Sequence, residues 1–416
     1  MGSFLNLVYD QWDYNNPKNT INGQKYFGDD FRHMDTIILK RMGFNHFKCH
    51  DIKDFYNFSP DENYYYIISQ ISGLEGKLNT NFELPLSEEV INCASNNKNF
   101  NIIFFNYVEV ESRNCLRLVD DKIKLLGIDP SQIWITSNSS NIYKYKEEEK
   151  ININVFKHKI IDIDTANDLI NNTGDVQFHT DKKGCFFMCQ NRMPRPHRNG
   201  MIVFLMKSNL INDTDWSLLE GDFENTNQYY NSIFTQENIE ESIEEINYLK
   251  NIKRKKTMFE TDFNDESDIN HKHWNKAFEK RTFYNTYVNI VNETLFTTED
   301  IHITEKTFNP LYFFQYPLIV ASPYHLKNLK NEHDIDLFED MINIDYDIET
   351  DHIKRFSMIM DEIKRIHKNK NYFINSYEKN YERFLHNHNK VIEMKNNKNE
   401  DYKFFDNLSK LVNNKK

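Results

Sequence analysis

His302-Ile303-Thr304-Glu305-Lys306-Thr307-Phe308, running on to Pro317-Leu318-Ile319-Val320-Ala321-Ser322-Pro323, is the stretch on which the reading of the fold turns. It reads as a loop, an aromatic-rich helix and a buried apolar strand ending in Ser-Pro. That succession is the unit with which an α/β protein brings a ligand to a sheet edge. Lys306 lies where the helix begins, and a cation there opposes the helix dipole unless an anion sits nearby. An exposed lysine on a surface helix is the plain alternative.

Outward from this stretch the chain alternates strands and helices. Phe31, Met34, Ile38 and Met42 recur at helical spacing, with Asp29-Asp30 before them and Gly43 after as start and stop signals. Tyr64–Ile68 and Ile102–Phe105 read as buried strands. Cys115, Val119, Ile123 and Leu126 step as a helix closed by Gly127, and Gln132–Thr136 is the next strand. The pattern predicts a parallel sheet with right-handed crossovers. The apolar pattern weakens around Asp168–Asp175, which places a domain junction there. A second α/β series begins at Cys185: a strand, a helix over Asn199–Ser208, and an acidic insert with Ile239, Ile243 and Ile246 at helical spacing. Tyr287–Val291 is another strand, and from Asp351 onward the chain reads as charged helix. The expected organisation is an N-terminal Rossmann-like domain over 1–172 and a second over 173–350. Helices over 351–416 are expected to pack back across the junction.

Composition bounds the function. At 416 residues the chain is too long for one ordinary core, and 39% hydrophobic with 14% aromatic residues suffices for packed domains. A formal charge of −12 without a long basic block disfavours a protein that neutralises nucleic-acid phosphates. The cysteines number five, and Cys185 and Cys189 have the spacing of one strand face, so core packing in a reducing compartment is expected. No run reaches the roughly 18 apolar residues of a membrane span, and the N-terminus lacks a signal-peptide core. A cytoplasmic protein is expected. With 11 glycines and no phosphate loop of the Walker type, an ATPase of that class is disfavoured.

Two basic clusters stand at expected helix starts in the second half: Arg192-Met193-Pro194-Arg195-Pro196-His197-Arg198, and Lys306. Strand ends followed by helix N-termini converge at the C-terminal edge of a parallel sheet. Arginine forks and a lysine there would hold a diphosphate through charge-assisted bonds. Asp162-Ile163-Asp164, after Ile160-Ile161, carries the alternative that two carboxylates hold a divalent ion on nucleotide phosphates. The same spacing recurs at Asp334-Ile335-Asp336 and Asp345-Tyr346-Asp347, so chance suffices to explain it.

Asn292-Glu293-Thr294, then Ile303-Thr304-Glu305-Lys306, then Pro317 to Pro323 resembles the donor-site signature of the α-1,3-fucosyltransferase family. Arg198-Asn199 before an apolar helix is similar to that family's Arg-Asn donor element. Together with Asp345-Tyr346-Asp347, the series also resembles glycosyltransferase-like proteins of large DNA viruses and phages. The likeness covers roughly 185–355, with Ala321 in place of the usual Gly and Thr294 in place of Ser. It implies a GT-B arrangement, two Rossmann-like domains facing a central cleft. It also implies an inverting, metal-independent transfer of a sugar from a nucleotide diphosphate, GDP-fucose in the family, to a glycan hydroxyl. Arg192, Arg195, Arg198, Asn292, Glu293, Thr304, Glu305 and Lys306 are then the donor-binding residues. Arg198 and Lys306 would neutralise the leaving diphosphate, and Glu305 would contact the donor sugar or ribose. The resemblance draws the base from the N-terminal domain just after a central strand, where Glu109 stands first and Glu111 second. A viral-type enzyme that glycosylates DNA bases, and a non-catalytic carbohydrate-binding or structural protein, are the other readings.

Overall fold

A computed structural model describes residues 5–9, 20–21, 24–25, 47–69, 84, 86–105, 113–137, 139–157, 166, 169–171, 173–182, 184–191, 195–218 and 280–396. The expected helices over 31–42 and 239–246 lie outside the described residues, as do Glu109, Glu111, Asp162, Asp164 and Arg192. The chain is α/β, with a parallel sheet in each of two compact units. One unit holds the residues before Asp162, the other Asp162–Asn396.

In the first unit, strands β1 (Leu5–Tyr9), β4 (Phe47–Asp51), β5 (Tyr64–Ser69), β6 (Phe100–Phe105), β7 (Ile133–Ser137) and β8 (Asn154–Lys157) form one sheet in the order β4-β1-β5-β6-β7-β8. Every pairing in it is parallel. A short antiparallel pair, β2 (Thr20–Ile21) and β3 (Gln24–Lys25), stands apart. Helices α1 (Glu88–Asn96), α2 (Arg113–Leu125) and α3 (Ile142–Glu148) belong to the same unit. All five positions of β7 are buried, as expected of a strand covered on both faces. Val90, Cys93, Leu116, Val119 and Ile123 bury against Ile102, Phe104, Ile133 and Ile135. Gly127, at φ +70°, ends α2 as the sequence predicts: Ile128 N–H reaches back to Ile123 O at 3.2 Å.

In the second unit, β9 (Phe187–Asn191), β10 (Thr214–Leu218), β11 (Val288–Asn292) and β12 (Tyr316–Val320) pair in parallel in the order β10-β9-β11-β12. The helices are α4 (Pro196–Lys207), α5 (Lys280–Asn285), α6 (Glu305–Tyr312), α7 (His325–His333), α8 (His352–Lys368), α9 (Lys370–Tyr377) and α10 (Tyr381–Asn396). Pro317 sits in edge strand β12, where the missing N–H leaves no ladder bond open.

Four features differ from the sequence reading. The division falls at Ile161/Asp162 rather than at 172/173, because Ala166 and Leu169 bury in the second unit's core. Helices α8–α10 belong to that same unit, with Phe356, Ile359, Ile363, Phe373, Phe384 and Val391 in its core. Cys185 precedes β9 and is half-buried, whereas Cys189 lies within the strand and is buried. Helix α4 begins at Pro196, earlier than Asn199, because proline's fixed φ suits the first helical position.

Candidate functional site at the edge of the second sheet

Strand order defines where a ligand can enter. The chain passes from β9 to β10 on one side and from β11 to β12 on the other, so β9 and β11 flank the point where connectivity reverses. Open α/β sheets bind ligands in the crevice at the carboxyl ends of such strands. The registered pairs between these strands are Val288 with Phe187 and Asn289 with Met188, at their amino ends. Beyond them side chains bridge the gap: Asn292 Nδ2 donates to Asn191 Oδ1 at 3.1 Å and to Cys189 Sγ at 3.4 Å.

The turn of α4 that follows β9 closes against the end of β11. Arg198, only 4% exposed, donates from Nη2 to Asn292 O at 3.3 Å and to Glu293 O at 3.2 Å. His197 Nε2 donates to Glu293 O at 2.8 Å. Burial, then the neighbouring Arg198 charge, holds His197 down to about 3, so it is a neutral donor. Burial, then the Arg195 charge, lowers Arg198 to about 10, while Glu293 and Glu305 act in the opposite direction. These couplings put Arg195, Arg198, Glu293 and Glu305 in one electrostatic neighbourhood.

Glu293 has no exposed surface. Its carboxylate accepts from Thr294 N at 3.0 Å, Thr304 N at 3.2 Å, Thr304 Oγ1 at 2.7 Å and Thr307 Oγ1 at 2.6 Å. Burial alone would raise its pKa. The charges of Lys306 and His325 and the two threonine hydroxyls outweigh that and hold it at about 2. The Thr307 hydroxyl proton goes to Glu293, so the Thr307 oxygen accepts from His325 Nε2 at 3.3 Å. Thr304 caps α6 by accepting from Lys306 N at 3.4 Å. Lys306 Nζ donates to Thr304 Oγ1 at 3.0 Å and to Glu305 Oε1 at 2.8 Å. The Lys306 side chain is 25% exposed, and that of Glu305 is 23% exposed. Of these two cations, Lys306 faces solvent and Arg198 is committed to main-chain carbonyls.

The loop between β11 and α6 is pinned from a second side. The Phe296 ring stacks on His197 at 5.2 Å, and the buried Arg355 guanidinium of α8 lies 4.5 Å from its centroid. Arg355 also donates to Phe296 O and to Glu349 O.

The structure thus brings together Arg195, Arg198, Asn292, Glu293, Thr304, Glu305 and Lys306. Sequence reading assigned no role to Asn191, His197, Thr307, His325, Phe296 or Arg355. His197 and Thr307 lie inside the quoted motifs, and hydroxyls flanking a Glu-Lys pair were a usable signal. Asp347 caps α7, its carboxylate accepting from Leu326 N at 2.9 Å and Lys327 N at 3.0 Å. Among the described residues no group of His, Cys, Asp or Glu could hold a metal ion, and no helix is long and apolar enough to cross a membrane. Compared with family models, curated proteins and solved structures, the chain matches none of them.

Proposed function

We propose that the chain is an inverting, metal-independent glycosyltransferase of GT-B arrangement, taking a sugar from a nucleotide diphosphate to a glycan hydroxyl. One observation carries this reading. Arg195, Arg198 and Lys306 gather where connectivity reverses between β9 and β11, at the first turns of α4 and α6. Cations at that edge suit a diphosphate. Lys306 would exchange Glu305 for a phosphate oxygen, while Arg198 and His197 keep the loop in place. As the sugar–phosphate bond breaks, negative charge builds on the leaving diphosphate, and the Lys306 ammonium would stabilise it. A carboxylate after β6, Glu109 with Glu111 second, would take the acceptor proton.

The test is release of nucleoside diphosphate from a panel of nucleotide sugars, with and without EDTA, beside titration calorimetry with UDP and GDP. Binding and slow hydrolysis of one donor are expected in EDTA. Absence of both would leave the non-catalytic reading. Turnover lost on chelation and restored by manganese would move attention to Asp162 and Asp164. Tight, salt-dependent binding to duplex DNA would favour the DNA-glycosylating reading.

A further inference from the structure

We propose that Glu293 is a positioning residue that never touches the donor and that fixes the spacing between the two basic elements of the site. The inference rests on the donor-site reading above. Glu293 contributes three separate attachments, each to a different element. Its backbone N–H donates to Val320 O at 2.9 Å, tying it to the end of β12. Its backbone oxygen receives His197 at 2.8 Å and Arg198 at 3.2 Å, tying it to the first turn of α4. Its carboxylate receives Thr304 and Thr307, tying it to the first turn of α6, and Thr304 Oγ1 in turn receives the Lys306 ammonium at 3.0 Å.

The chemistry explains why a carboxylate is needed. Four donors face two oxygens, and both threonine hydroxyls have given their protons to them. Each hydroxyl oxygen is therefore left as an acceptor, one for Lys306 Nζ and one for His325 Nε2. A neutral amide offers one acceptor oxygen and one NH2, so whichever way it turns, a donor meets a donor. At least one threonine hydroxyl must then turn, and a Thr304 that turns can no longer orient Lys306. Because nothing of Glu293 is exposed, a ligand cannot reach it, and its influence must pass through Thr304 and Lys306.

Calorimetric affinities for UDP and GDP in four proteins decide this: the parent, Glu293→Gln, Lys306→Ala and the double variant. Glu293→Gln should weaken the better nucleotide by about tenfold, but by less than about twofold once Lys306 is Ala, as coupled neighbours behave. Its loss of thermal midpoint should be the same in both backgrounds, which separates positioning from general softening. Thr307→Val, which removes one hydroxyl and leaves the carboxylate, guards against a Gln variant that fails to fold. It should weaken binding about threefold, again only when Lys306 is present. A parent that binds and a Gln variant that binds equally well would overturn this inference alone. So would a Gln penalty that persists undiminished beside Lys306→Ala. A parent that binds neither nucleotide would overturn the donor reading and this inference with it.

Discussion

Replacing His197 by Gln should make the protein less stable at pH 7 and more stable near pH 4.5. In the fold His197 is buried, stacked on Phe296 and donating from Nε2 to Glu293 O, and burial with the adjacent Arg198 lowers it to about 3. In the unfolded chain an ordinary histidine titrates near 6.5. Between those values the unfolded chain holds a proton that the folded chain does not, so stability is lost as pH falls below about 6.5. The slope is about 1.4 kcal/mol per pH unit, and the full window to about 3 corresponds to roughly 5 kcal/mol at most. Glutamine keeps an N–H near the Nε2 position and does not titrate. Its cost at pH 7 is the lost ring packing, about 1–2 kcal/mol. The two stability curves should therefore cross about 0.7–1.5 pH units below 6.5, at about pH 5–6. Urea unfolding from pH 4 to 8 measures this, using the transition that His197→Gln moves, since the two units can unfold separately. Curves that stay parallel below pH 6.5 would refute the assignment of His197 as a buried neutral donor.

Three further outcomes follow from the same geometry. Lys306→Ala should weaken nucleoside diphosphate binding and slow turnover, with a transition-state loss of about 3–4 kcal/mol, read from calorimetry and from kcat/KM. Glu305→Gln should tighten free nucleoside diphosphate about two- to fivefold in calorimetry, since it releases Lys306 from a partly exposed pair. Asp347→Ala should lower the thermal midpoint by a few degrees, as expected for the loss of a cap worth about 1–2 kcal/mol in a chain of this size.

Much of the fold was legible because parallel strands buried on both faces read as unbroken apolar runs. Ile133–Ser137, Val288–Asn292 and Tyr316–Val320 are buried at every position and stand within a residue of where the sequence puts them. The start of α6 was legible too, since Thr304 is a helix-capping residue standing before Glu305 and Lys306. What stayed hidden depends on partners far along the chain. Arg355 reaches Phe296 across 59 residues, and Asp347 caps Leu326 across 21, separations at which no periodicity carries a signal. The division was expected at 172/173 rather than at Asp162 for a related reason. Ala166 and Leu169 stand on either side of the polar pair Asn167-Asp168, and the second core takes both up. Arg198 reads in sequence as a ligand cation, but carbonyls at the parting of β9 and β11 claim its guanidinium.

The distribution of caps is what gives the second sheet's edge a direction. Among the described residues three helices begin there, and the chain supplies its own anion to two of them. Asp347 closes α7, and Glu293 closes the start of α6 through Thr304 and Thr307. Helix α4 instead starts at Arg195, whose side chain makes no cap bond, and Pro196, and it carries Arg198 in its first turn. Cations at a helix N-terminus oppose the dipole rather than complete it. The fold tolerates this arrangement because Arg198 turns back to two carbonyls and His197 is neutral. An anion bound there would complement the gathered cations, as Glu293 and Asp347 complement the starts of α6 and α7.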